Sequence, residues 1–101
     1  MITIEVAQAE LRDEVSEAEF LAVAEALQEG FLHHQAGFVK RILTQGEGRR
    51  WLALVFWESA EAAYSAAQIA MQNPSVQAFA SKFKEGSFSM QWVSVKKEWT
   101  A

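Results

Sequence analysis

The stretch Trp51–Trp57, WLALVFW, is an unbroken apolar run of seven residues in a chain of 101. Side chains of a strand point to opposite faces at every step, so a strand on the outside of a small domain alternates apolar and polar residues. An unbroken run puts apolar groups on both faces, and both need cover. Helices of the same chain can cover one. The other set, either Trp51, Ala53, Val55 and Trp57 or Leu52, Leu54 and Phe56, then meets water unless a second layer packs on it. Each large side chain left exposed forgoes on the order of 1.5–3 kcal/mol of burial. The run therefore predicts a homodimer that packs sheet against sheet.

The rest of the chain supplies the elements around that strand. ITIEVAQ alternates, with Ile2, Ile4 and Val6 on one side and Thr3, Glu5 and Ala7 on the other, which is the period of a first strand. Ser16 followed by Glu19 matches a capping box, in which each side chain satisfies a free backbone N–H at a helix start. The helix it opens carries an apolar stripe at Phe20, Val23, Ala24, Leu27 and Phe31. HHQAG ends this helix. GFVKRILT then reads as a second strand, joined to RRWLALVFW by the glycine-bearing turn QGEG, so the two are antiparallel neighbours.

Ser59 is an N-cap for an alanine-rich helix, whose small side chains predict a close approach to the sheet and a narrow pocket. Asn73-Pro74 interrupts that helix and starts a short one with the stripe Val76, Phe79, Ala80 and Phe83. The last strand alternates at Phe88, Met90 and Trp92. Beyond Trp92 the apolar residues Val93 and Val95 change face, which predicts either a bulge or cover on opposite faces along its length.

The order β-α-β-β-α-β fits one α+β, ferredoxin-like domain over residues 1–101, with both helices on one face of a four-stranded antiparallel sheet.

Charge and composition narrow the function classes. Thirteen acids against nine basic residues give a net charge of −4, so phosphate backbones are not attracted. An RNA-recognition domain shares the element order but needs a basic, solvent-facing third strand with glycine, which RRWLALVFW is not. A regulatory amino-acid-binding domain also shares it, but accompanies a catalytic domain that this chain lacks. The early acids, Glu5 and Glu10 through Glu29, read as solvated charge. The chain has no cysteine, which excludes thiolate nucleophiles and Cys-ligated metals. The N-terminus lacks the basic start and apolar core of a secretion signal, and no window approaches a membrane span. The expectation is a soluble, cytoplasmic protein without nucleic-acid or membrane partners.

Gly37-Phe38 at the second strand, FWES at Phe56–Ser59, the helix start SAEAA and NPSVQAF at Asn73–Phe79 resemble the antibiotic biosynthesis monooxygenase-like, dimeric α+β barrel proteins. The resemblance covers roughly residues 2–95. It implies sheets that pack across a homodimer as a barrel, and a ligand pocket between each sheet and its own helices. The family includes cofactor-independent monooxygenases of aromatic polyketides or quinols, haem-degrading enzymes, small-molecule isomerases and members without known activity. Trp57 matches a tryptophan that lines the pocket of the haem-degrading members. Those members also need an axial histidine, where PSVQAFASKF has none, and an asparagine near the end of the first strand, where Ala7 and Gln8 stand. Haem is thereby disfavoured.

The pocket-lining candidates are Trp57, Phe38, Tyr64, Trp92 and His34. The Tyr64 hydroxyl either orients a quinol or carbonyl or lies with its tip in water. Trp92 offers a stacking surface or half-buried core. His34 is a general base at the pocket mouth or a favourable charge at a helix end. His33 and His34 point about 100° apart on a helix and form no chelate, and Glu29 with His33 lacks a third ligand. Neither a cofactor nor a metal is expected, and no residue stands out as the catalytic base. Lys40, Arg41, Arg49 and Arg50 gather at the β2-β3 hairpin as edge charges or as a lure for an anionic ligand. The resemblance implies a cofactor-independent monooxygenase acting on a small aromatic or quinol-type substrate; the alternative is a non-catalytic, ligand-binding or stress-related dimer.

Overall fold

A computed structural model describes all residues, 1–101. The strands are β1 (Thr3–Glu10), β2 (Phe38–Gln45), β3 (Arg50–Trp57) and β4 (Ser89–Ser94), and the helices are α1 (Glu17–Gly30), α2 (Ala60–Ala70) and α3 (Pro74–Ala80). A 3-10 turn, Leu32–His34, follows α1. The sheet is antiparallel in the order β2-β3-β1-β4, the ferredoxin-like arrangement. No helix is long and apolar enough to cross a membrane.

Capping residues start the helices where expected. The Ser16 hydroxyl accepts from the Glu19 N–H at 3.0 Å, Ser59 does the same for Ala62 at 3.1 Å, and the Asn73 side chain accepts from Ser75 N–H at 2.9 Å ahead of Pro74 in the first turn. The reciprocal half of the capping box is weaker, with the Ser16 backbone N–H acting on a Glu19 carboxylate whose main partner is a cation. The Glu19 carboxylate pairs with Lys82 at 2.9 Å, a stronger partner than a backbone N–H.

The register decides which face of the sheet the helices cover. Trp51, Ala53, Val55 and Trp57 are buried beneath them, paired with Ala9, Ala7, Glu5 and Thr3 of β1. The opposite face carries Leu52, Leu54 and Phe56, beside Gln8, Val6 and Ile4. Ile42 lies opposite Leu54, and Val93 opposite Ile4, which extends this apolar face over all four strands. Its side chains stay part-exposed, and no helix of the chain covers it. β4 runs in unbroken register to Ser94, so no bulge intervenes. Met90 and Trp92 lie on the helix side, and Val93 on the other.

The helix-side core has two parts. At one end Phe20, fully buried, packs on Trp51, Phe79 and Phe83 with ring centroids 4.9, 5.4 and 5.5 Å away. At the other, Leu27, Phe31, Leu32, Val55, Trp57, Ala63 and Ala66 close around the start of α2. Gly37, with φ of 84°, permits that approach: a Cβ there would stand 2.5 Å from the Cβ of Ala62.

Candidate functional site

Between the two packed ends lies a cavity of about 630 Å³, within the range of small-molecule sites. Its floor is Ala7 and Ala53, and its roof is Ala66, Ala67 and Ala70 of α2. The alanine-rich helix therefore does not narrow the pocket as expected. Alanines face alanines across the gap, while Trp57, Leu27 and Phe79 at the margins hold the layers apart.

One cross-sheet row sets the polarity of this apolar space. Arg41, Val55, Glu5 and Trp92 are successive neighbours across β2, β3, β1 and β4. Neighbouring strands lie about 4.8 Å apart, so Arg41 and Glu5 flank Val55 on the cavity face. Burial raises the Glu5 carboxyl above its ordinary pKa, against the opposing pull of the Trp92 and Trp57 indoles and the Arg41 charge. The Trp57 indole N–H, in a residue only 1% exposed, faces that carboxylate without closing a hydrogen bond to any group. Desolvation lowers the Arg41 pKa, opposed by Glu25 and Glu5. Its Nη1 donates to the Ala24 carbonyl at 2.8 Å, its guanidinium lies 5.3 Å from the Phe79 ring centre, and its Nε has no partner.

The sequence candidates divide. Trp57 forms part of the cavity wall. Phe38 stands behind it, edge-on at 5.8 Å, and lines a shallower groove beside α1. Trp92 is 36% exposed at the β4 edge, toward Glu5, with the Tyr64 ring 6.1 Å away. Tyr64 itself is 54% exposed and outside the cavity. His34 is also outside it, exposed in the 3-10 turn with His33 at 5.4 Å.

Glu5 and Arg41 were not among the candidates. Glu5 is not solvated charge, and Arg41, although on the edge strand β2, is turned beneath α1 rather than into solvent. The hairpin cluster in fact disperses. Arg49 clamps the β1–α1 loop by donating to the carbonyls of Arg12, at 2.7 Å, and Val15. Lys40 lies over Phe56 at 4.7 Å on the opposite face. The signal for Glu5 was its place in the alternation, opposite Ile2, Ile4 and Val6; which side faces the helices is visible only in the register.

No family model and no curated protein matches the sequence. Solved structures do match over nearly the whole chain. SnoaB, a cofactor-independent oxygenase from Streptomyces nogalater, aligns with a TM-score of 0.77 and 18% identity over 96% of this chain and 95% of its own. A candidate antibiotic biosynthesis monooxygenase from Bordetella bronchiseptica aligns at 0.78 and 15%, over 95% and 98%. Rv0793 from Mycobacterium tuberculosis aligns at 0.71 and 10%, over 99% and 100%. The chain thus has the α+β, ferredoxin-like fold of the antibiotic biosynthesis monooxygenase proteins.

Proposed function

We propose that this protein is a cofactor-independent monooxygenase that oxidises a small hydroxylated aromatic in the cavity between its sheet and helices, working as a homodimer paired through the uncovered sheet face. The observation that carries the reading is a large, alanine-lined cavity with an unpaired indole N–H, that of Trp57, in its wall. With the Glu5 carboxylate turned toward it but not bonded, that donor and acceptor can be shared with a ligand hydroxyl. SnoaB, of the same fold, is a cofactor-independent oxygenase, which supports the choice of reaction class.

The chemistry asks little of the protein. An electron-rich aromatic such as 1-naphthol loses its hydroxyl proton, and the aryloxide gives one electron to oxygen. The radical pair joins at the ring carbon para to the oxygen. Loss of that carbon's proton then breaks the O–O bond, leaving the 1,4-quinone and water. The cavity supplies exclusion of water, orientation and a proton acceptor. Oxygen uptake with 1-naphthol, with naphthoquinone recovered in equal amount, tests the reading. Binding of 1-naphthol with no uptake above the uncatalysed rate would replace the enzyme with a ligand-binding dimer.

A further inference from the structure

We propose that Glu5 is the proton acceptor of this cavity: its carboxylate grips the hydroxyl of an aromatic ligand resting on Ala7 and Ala53, and takes the proton when that ligand is oxidised. The second half rests on the oxygenase reading; the grip on a hydroxyl does not need turnover.

Glu5 and Glu85 are the carboxylates that line the cavity, and Glu85 is exposed at its mouth. Glu5 instead projects from the central strand β1, at the floor. Within the fold the Trp92 and Trp57 indoles lean on this group, but neither closes a full hydrogen bond to it and no cation pairs with it. Arg41, the nearest cation in its row, directs its hydrogen bond to Ala24, and the ion pairs of the chain involve Lys82 and Lys84 elsewhere. A carboxylate accepts several hydrogen bonds, so Glu5 retains acceptor capacity that a buried structural carboxylate would have filled.

The surroundings suit proton transfer. When the ligand's O–H bond breaks, the proton passes to a Glu5 oxygen and the electron pair stays on the aryloxide. The Arg41 charge and the Trp57 N–H favour that new anion. The proton later leaves with the hydroxide released from the O–O bond, as water. Burial makes the Glu5 carboxylate a stronger base than one at the surface.

The groups that set its titration are few. Arg41 faces it from β2, Trp57 from β3 and Trp92 from β4, while Glu25 of α1 acts through Arg41. Arg12, Lys84 and Glu85 lie at the mouth, and α2 and α3 present no ionisable group to the cavity.

The test is calorimetric titration, under nitrogen, of 1-naphthol and 1-methoxynaphthalene into the wild type and Glu5→Gln from about pH 5 to about pH 8.5. The ether keeps the ring and oxygen but donates nothing. The wild type should bind 1-naphthol about tenfold tighter than the ether or better, the strength of a hydrogen bond to a charged group. This preference should fall away as pH drops through the Glu5 titration, while ether binding stays flat. In Glu5→Gln it should shrink to within about threefold at every pH, because a charge-assisted bond has become a neutral one.

Equal binding of both compounds by the wild type at all pH would overturn the proposal, with no variant needed. So would a Glu5→Gln variant that keeps the full preference and its pH dependence. A Glu5-dependent preference without oxygen uptake would sustain the grip on the hydroxyl and remove the oxygenase reading. Binding of neither compound would end both.

Discussion

The two faces of the sheet are built in opposite ways. The face beneath the helices carries Thr3, Glu5 and Arg41 among small residues such as Ala7 and Ala53. The face the helices leave open carries Ile4, Val6, Ile42, Leu52, Leu54 and Phe56. Both faces are largely apolar, since Trp51, Val55 and Trp57 also lie beneath the helices, and the difference is the space and the buried polar groups of the covered side. That difference follows from what each face has to do. A wall that must hold a ligand needs space and a few polar groups, whereas a face that pairs with another sheet needs bulk at its centre, with a charge such as Lys40 kept to the edge strand β2.

Substitutions on either face sharpen that contrast, and the largest effect belongs to the packed end of the covered side. Phe20→Ala removes a fully buried ring in contact with three others, and should cost about 3–5 kcal/mol in urea denaturation. Leu54→Glu puts a charge in the middle of the open face. It should weaken the homodimer by about 100-fold or more in sedimentation equilibrium, as expected for a buried unpaired charge. If the protein were already monomeric before substitution, the open face would need another explanation.

Ala53→Leu fills part of the cavity floor. Because it occupies empty space, stability should change by less than about 1 kcal/mol, while 1-naphthol affinity falls about tenfold or more. A large loss of stability would mean that the cavity is closed in solution.

The smallest effect concerns Glu5 itself. Burial raises its pKa in the folded state, so the folded protein binds the proton more readily than the unfolded chain does. Stability therefore declines as pH rises through the folded-state titration. Glu5→Gln should melt slightly higher than the wild type near neutral pH, and the gap should close as pH falls toward the unfolded pKa. A buried acid that lowers stability at working pH is what a functional group looks like, and a structural one should behave in the reverse way.

Much of the fold is legible in the sequence. Ser16, Ser59 and Asn73 announce three helix starts through local chemistry, and the run Trp51–Trp57 announces an apolar layer on both faces. These signals act between near neighbours in the chain. The candidate site was less legible because it depends on register. Arg41 and Glu5 are separated by most of the first half of the sequence, and only their common pairing with Val55 brings them onto one face. Trp57, which the resemblance to the haem-degrading members singles out, stands in the cavity wall. Tyr64 follows Trp57 closely in the chain, but the turn of α2 carries it to the solvent side. The alanines of α2 were read as a means of close packing. That holds at the start of the helix, where Ala62 and Ala63 pack against Gly37 and Trp57, whereas Ala66, Ala67 and Ala70 further along mark space above Ala7 and Ala53.

The most direct test of the difference between the two faces is methyl-labelled NMR of the wild type, titrated with 1-naphthol under nitrogen. Shifts concentrated at the methyls of Ala7, Ala53, Ala66 and Ala70, with those of Leu52, Leu54 and Ile4 unmoved, are the predicted result. Shifts concentrated on Leu52, Leu54 and Ile4 would contradict the account, since the open face and not the cavity would then be the ligand site.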